Sequence, residues 1–183
     1  MSTKSLIAKR IGEDRYRTIY CHLDGFPTYN GAMLVDHYST EELVDRLMEL
    51  GDLSVLKEKA DPDPRRVHKF EYSMRQSGVT VAYGRDRGEK NTQAKEFTFE
   101  ELSAPGNWAD FIYVYDLDHT WKYFKACECE EGFRDLKEDL KRIYEEFDME
   151  RPRGYYGYIN QEMAEYLKSK MEPGEEPGPI MSM

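Results

Sequence analysis

No stretch of this sequence approaches the ~20 consecutive apolar residues of a membrane-spanning helix. Its start, "MSTKSLIAKR", has neither the apolar core nor the cleavage site of a secretory leader. The two absences lead to an expected cytoplasmic location without membrane contact. Cysteine is scarce: three residues, an odd number, cannot build a disulfide framework and read as reduced thiols. The common catalytic and phosphate-binding signatures are also missing, with no P-loop, no G-x-G-x-x-G, no H-E-x-x-H and no G-x-S-x-G. The chain has no internal repeat.

What is present suits one domain with a real core. The 183 residues are 39% hydrophobic and 34% charged, with 14 Tyr and 8 Phe. The net charge of −10 is unevenly spread, because Met1 to Lys95 holds 16 Lys/Arg against 15 Asp/Glu, while Glu96 to Met183 holds 10 against 21. Such asymmetry points to a partner of opposite charge, and it disfavours free nucleic acid against the acidic half.

The expected fold class is α+β: a small antiparallel sheet built from hairpins, packed against three or four amphipathic helices. "KSLIAKR" and "RYRTIYCHL" read as a hairpin turning near Gly12. Ser39 or Thr40 caps a helix that ends at Gly51, with Leu43, Val44, Leu47 and Met48 as its apolar stripe. Two Asp-Pro steps make residues 57–70 a long loop, and the polar, glycine-punctuated residues 84–96 read as a mobile one. "DFIYVYDLDHTWKYF" reads as a second hairpin whose exposed aromatics would suit a homodimer surface or sheet edge. The strongest helical spacing joins Phe133, Leu136, Leu140, Ile143, Tyr144 and Phe147. A last helix runs from Asn160 to about Lys170, so residues 1–171 form one domain and residues 172–183 a flexible tail.

Chemistry-bearing residues crowd into "IYCHLDGFPTYNG", Ile19 to Gly31. A cysteine nucleophile needs a base, and His22, next to Cys21 on a strand, points to the other face; His37, His68 or His119 would have to be brought in by the fold. Zinc would need Cys127 and Cys129 joined by Cys21, His22 or His37, but one C-x-C pair without a second C-x(2–4)-C is poor zinc spacing. The favoured reading makes Cys21 a core thiol, with no metal and no cofactor. Turn chemistry is better specified, through Asp24-Gly25, Pro27 and Asn30-Gly31. The basic residues Arg65, Arg66, Lys69, Arg85, Arg87 and Lys90 are candidate nucleic-acid contacts, weakened by interleaved acids.

The N-terminal third resembles a family of small proteins carried by phages, prophages and plasmids. That family reads S-T-x-S, then Y-C-H-x-D-G-x-P, a glycine, a leucine and H-Y, and finally L-x-x-L-G-D. The matching residues are Ser2, Thr3, Ser5, Tyr20, Cys21, His22, Asp24, Gly25, Pro27, Gly31, Leu34, His37, Tyr38, Leu47, Leu50, Gly51 and Asp52. Leu23 departs from it, standing where an aromatic is commoner. In length, acidity and N-terminus the chain is also similar to anti-CRISPR proteins that inhibit the type II-A RNA-guided nuclease. This resemblance implies an anti-defence inhibitor, not an enzyme, acting in the host bacterial cytoplasm on that nuclease with its guide RNA. An acidic surface would then stand in for DNA phosphates in the effector's positive channel. The candidate carboxylates are Glu128, Glu130, Glu131, Asp135, Glu138, Asp139, Glu145, Glu146, Asp148 and Glu150. Two alternatives stay open: capture of a nucleotide second messenger by Tyr20, His22, Tyr29 and the basic loop, and a Cys- or metal-dependent enzyme.

Overall fold

A computed structural model describes residues 3–146 of the chain. The expected helix after Asn160, the tail, and Asp148 and Glu150 lie outside the described residues. Among the described residues an eight-stranded sheet is flanked by helices on both faces, an α+β fold. The strands are β1 (Ser5–Gly12), β2 (Arg15–Cys21), β3 (Leu53–Val55), β4 (Val81–Ala82), β5 (Lys95–Phe97), β6 (Phe111–Tyr115), β7 (Trp121–Lys125) and β8 (Arg134–Asp135). The helices are α1 (Ala32–His37), α2 (Glu41–Leu50), α3 (Tyr83–Arg87), α4 (Phe99–Ser103) and α5 (Leu136–Glu146).

The sheet order is β4-β3-β2-β1-β6-β7-β8, with β5 also pairing β2. Both expected hairpins form, β1–β2 and β6–β7, each antiparallel. The sheet as a whole is mixed, however, because β1 runs parallel to β6 from Ser5↔Phe111 to Lys9↔Tyr115, and β2 meets β3 in parallel at Cys21↔Leu53. Local turn signals report only the hairpins. The parallel pairing of β1 with β6 joins segments about a hundred residues apart and leaves no turn signal.

Alternation of side chains divides the core in two. One face presents Ile7, Ile19, Cys21, Tyr113, Tyr115, Trp121 and Tyr123, all buried beneath α1, α2 and α5. Hydrogen bonds tie this layer down: Trp121 Nε1 donates to Tyr38 O at 2.8 Å, and the Tyr123 hydroxyl donates to Asp139 on α5 at 2.8 Å. The opposite face gathers Leu6, Ala8, Tyr16, Ile112, Val114 and Phe124 under Leu102 of α4. There Phe99, Phe124 and Phe133 form a ring triplet with centroids 5.5–5.7 Å apart.

The aromatics of the second hairpin, expected to be exposed as a homodimer surface or sheet edge, are buried instead. Every residue of Phe111–Tyr115 is buried, as are Trp121, Tyr123 and Phe124, because β6 lies between β1 and β7, and β7 is covered along its other side by β8. The run "FIYVY" lacks polar alternation, which is the mark of a strand covered on both sides.

Thr40, not Ser39, caps α2 by accepting from Leu43 N at 3.4 Å. Gly51 ends the helix at φ +72°, and a Cβ there would sit 2.1 Å from Thr92 O. Leu43 falls on the solvent side of the stripe at 40% exposure, while Val44, Leu47 and Met48 are buried. Residues 84–96, read as a mobile loop, carry most of α3, the buried Thr92 and the start of β5, and Asp52 N donates to Thr92 O at 2.7 Å. Residues 57–70 lie in a long loop, an excursion between β3 and β4, that is hydrogen-bonded at Lys59, Arg66, Lys69 and Phe70.

Candidate functional site

The stretch Ile19 to Gly31 folds into a strand exit and turn held by hydrogen bonds to β1, β6 and the N-terminal residues. Cys21 is fully buried at the end of β2, its thiol donating to Leu23 O at 3.5 Å and accepting from Asn30 Nδ2 at 3.4 Å. The same amide donates to Ser5 Oγ at 3.1 Å and Leu23 O at 3.0 Å, so Asn30 joins β1, β2 and the turn. Gly25 N donates to Thr3 O at 2.9 Å, and the Tyr113 hydroxyl donates to Gly25 O at 2.6 Å. A Cβ on Gly25 would lie 2.7 Å from the Lys4 backbone, so glycine is needed for this close approach; the left-handed residue is Asp24, at φ +60°. Pro27 opens a short π-helical turn, Pro27–Gly31, that leads into α1.

Nucleophilic chemistry finds no footing there. Burial pushes the Cys21 thiol up to about 12, against the opposing Asn30 amide. His22 sits on the other side of the strand with Nδ1 3.1 Å from the Tyr20 hydroxyl. The alternative bases are engaged elsewhere, since His68 Nδ1 accepts from Gln76 N at 3.0 Å and the His119 ring packs against Tyr115 at 5.9 Å. His37 ends α1. Among the described residues, no group of three or more His, Cys, Asp or Glu side chains converges as a metal site. No helix among them is long and apolar enough to cross a membrane.

The acidic candidates divide by role. Asp139 is internal to the fold, bonded to Tyr123 and paired with Arg134 at 2.8 Å and Arg142 at 3.1 Å. Glu128 is half-buried against Lys125 at 3.3 Å. Asp135 caps α5 by accepting from Glu138 N at 2.9 Å. Glu138 and Glu145 stand exposed on α5, interrupted by the exposed Lys137 and Lys141. Glu130, Glu131 and Glu146 lie on the described backbone, but their side chains are outside the described set. On the same side of the sheet, α2 adds the exposed Glu41, Glu42 and Glu49, of which Glu41 pairs with Lys9 and Glu49 with Arg46, each at 2.8 Å.

The basic candidates also separate. Arg85 is a structural strut, donating to Ala60 O at 2.7 Å, to Thr80 O and to Asp86. Arg65 pairs with Asp63 at 3.1 Å and Arg87 with Glu89 at 3.0 Å. Arg66, Lys69 and Lys90 are exposed. Gln76 builds the excursion from inside: it is buried, and its amide binds Asp63 O, Arg66 O and Asp63 N, each within 2.9–3.0 Å.

No family model matches the chain. Comparison with curated proteins and with solved structures finds no match either. Functional reading therefore starts from the surface. Sequence reasoning missed one surface feature, the rings Phe70, Tyr72 and Tyr83 set against Arg75 and Arg87. Its signal was "HKFEYSMR", where aromatic and basic residues interleave across the end of the loop 57–70 and the five residues after it.

Proposed function

We propose that the protein is a non-enzymatic anti-defence inhibitor, one that binds a type II-A RNA-guided nuclease and blocks its DNA binding or cleavage. The observation that supports this reading is that α2 and α5 lie on one side of the sheet and both turn carboxylates to solvent, while the Cys21 thiol is buried in the fold and His22 lies against the Tyr20 hydroxyl. Glu41, Glu42 and Glu49 from one helix and Glu138 and Glu145 from the other make the acidity an area, which suits a basic channel better than a single stripe would. Charge-assisted bonds from effector Arg and Lys to these carboxylates would take the place of bonds to DNA phosphates.

A pull-down from cells expressing a type II-A system, with and without guide RNA, tests the proposal. Recovery of the effector with the full-length chain, lost when Glu138 and Glu145 are both changed to Lys, is the expected result. An eluate without effector in both arms overturns it.

A further inference from the structure

We propose that the excursion between β3 and β4 binds single-stranded polynucleotide, with Tyr72 as a base-stacking platform and Arg66 and Lys69 as phosphate contacts. The excursion displays a run of rings and guanidinium planes. Phe70 stacks on Tyr83 with centroids 5.6 Å apart and planes inclined by 30°. Arg87 lies 4.8 Å from the Phe70 centroid, and Arg75 lies 5.4 Å from Phe70 and 5.8 Å from Tyr72. Tyr72 ends the run at 86% exposure, and Val67 at 66% and Met74 at 44% are exposed in the same excursion. An open depression of about 570 Å³ adjoins it, lined by Arg66, Val67, Ser73, Met74, Arg75 and Gln76.

Hydrogen bonds tie down the backbone beneath this display. Arg75 Nε donates to Phe70 O at 2.8 Å, Lys69 N to Met74 O at 3.2 Å and Phe70 N to Asp86 O at 3.2 Å, while Gln76 grips the opposite limb. Among the described residues no carboxylate lies within ion-pair distance of Arg66 or Lys69, in contrast to Arg65 and Arg87. The ligand follows from that combination. Exposed cations supply attraction to phosphate, and an exposed ring backed by a guanidinium offers a flat face to an unstacked base. Duplex keeps its bases stacked and inaccessible, and an acidic peptide brings charge without planar faces.

The proposal is independent of effector binding, so it is tested on the purified full-length chain alone. Fluorescent 15-nucleotide oligo(rU) and oligo(dT), a duplex of equal length and polyglutamate are titrated at low salt. The single strands are expected to bind with dissociation constants of ~1–100 μM, weakening as salt rises. The rU and dT arms show which sugar is preferred. Tyr72→Ala should weaken binding by about 5-fold or more with an unchanged melting temperature, since the ring is exposed. Arg66→Glu with Lys69→Glu should lower affinity and flatten the salt dependence. Absence of single-strand binding, equal binding of duplex or polyglutamate, or an undiminished Tyr72→Ala variant overturns the proposal.

Discussion

Alkylation of Cys21 separates a buried structural thiol from a catalytic one. The side chain is fully buried, and its ionisation is pushed up to about 12, so at pH 8 its thiolate fraction is about 10⁻⁴. An ordinary thiol at that pH is ionised to the extent of roughly one part in four to one in ten. Ionisation alone therefore slows alkylation about a thousandfold, and burial slows it further, because the reagent enters only when the turn opens. The assay is site-resolved mass spectrometry after timed iodoacetamide treatment of the native chain at pH 8, with a sample in 8 M urea as reference. Cys21 should stay unmodified natively while reacting fully in urea. Asn30→Ala removes the amide that holds the thiol, Ser5 and the Leu23 carbonyl together. It should raise the native labelling rate by making opening easier. Native labelling of Cys21 as fast as in urea would refute the buried-thiol reasoning and revive a nucleophile.

Other consequences are equally direct. Tyr113→Phe deletes the bond to Gly25 O and leaves a buried carbonyl unpaired, at a cost of about 1–2 kcal/mol; calorimetry should show a fall in Tm of roughly 3–6 °C. Gly25→Ala drives a Cβ into the Lys4 backbone, so soluble, folded protein should be lost, whereas Gly88→Ala, with nothing within 4 Å but φ +73°, should cost only about 1–2 kcal/mol. Burial raises Cys21 and Tyr38, each to about 12, and also raises Tyr113 and Tyr123. These groups keep their protons in the folded chain where the unfolded chain loses them. Stability is then full below about pH 9 and falls as pH climbs toward 12, by ~1.4 kcal/mol per pH unit for each group in its window. Urea midpoints at pH 8, 10 and 11 should fall in that order, and a flat series would contradict the burial.

The parts of the fold that could be read from sequence are those set by neighbours. Gly12 marks one hairpin, Asp118 and His119 the other, and Thr40 and Gly51 bracket α2, because turns and caps depend on a few adjacent residues. The parallel β1–β6 pairing depends on side chains a hundred positions apart. Its one sequence trace was the unbroken apolar run Phe111–Tyr115, which signals cover on both faces and argues against an exposed interface. In the candidate site, opposite facing of Cys21 and His22 follows from strand geometry alone. Which carboxylates the fold engages does not, because Asp139 and Asp135 look like Glu138 in sequence and differ only through Tyr123, Arg134 and the start of α5. The ring and guanidinium run escaped notice because Phe70 and Tyr83 meet across a fold-dependent gap.

The most direct measurement is a titration of purified chain into type II-A effector loaded with guide RNA, repeated at rising salt and with the Glu138→Lys, Glu145→Lys double variant. Saturable binding that weakens with salt and drops about 10-fold in the double variant, roughly 1.4 kcal/mol, is the predicted result. No binding, or binding indifferent to both salt and charge reversal, would contradict an acidic inhibitor surface.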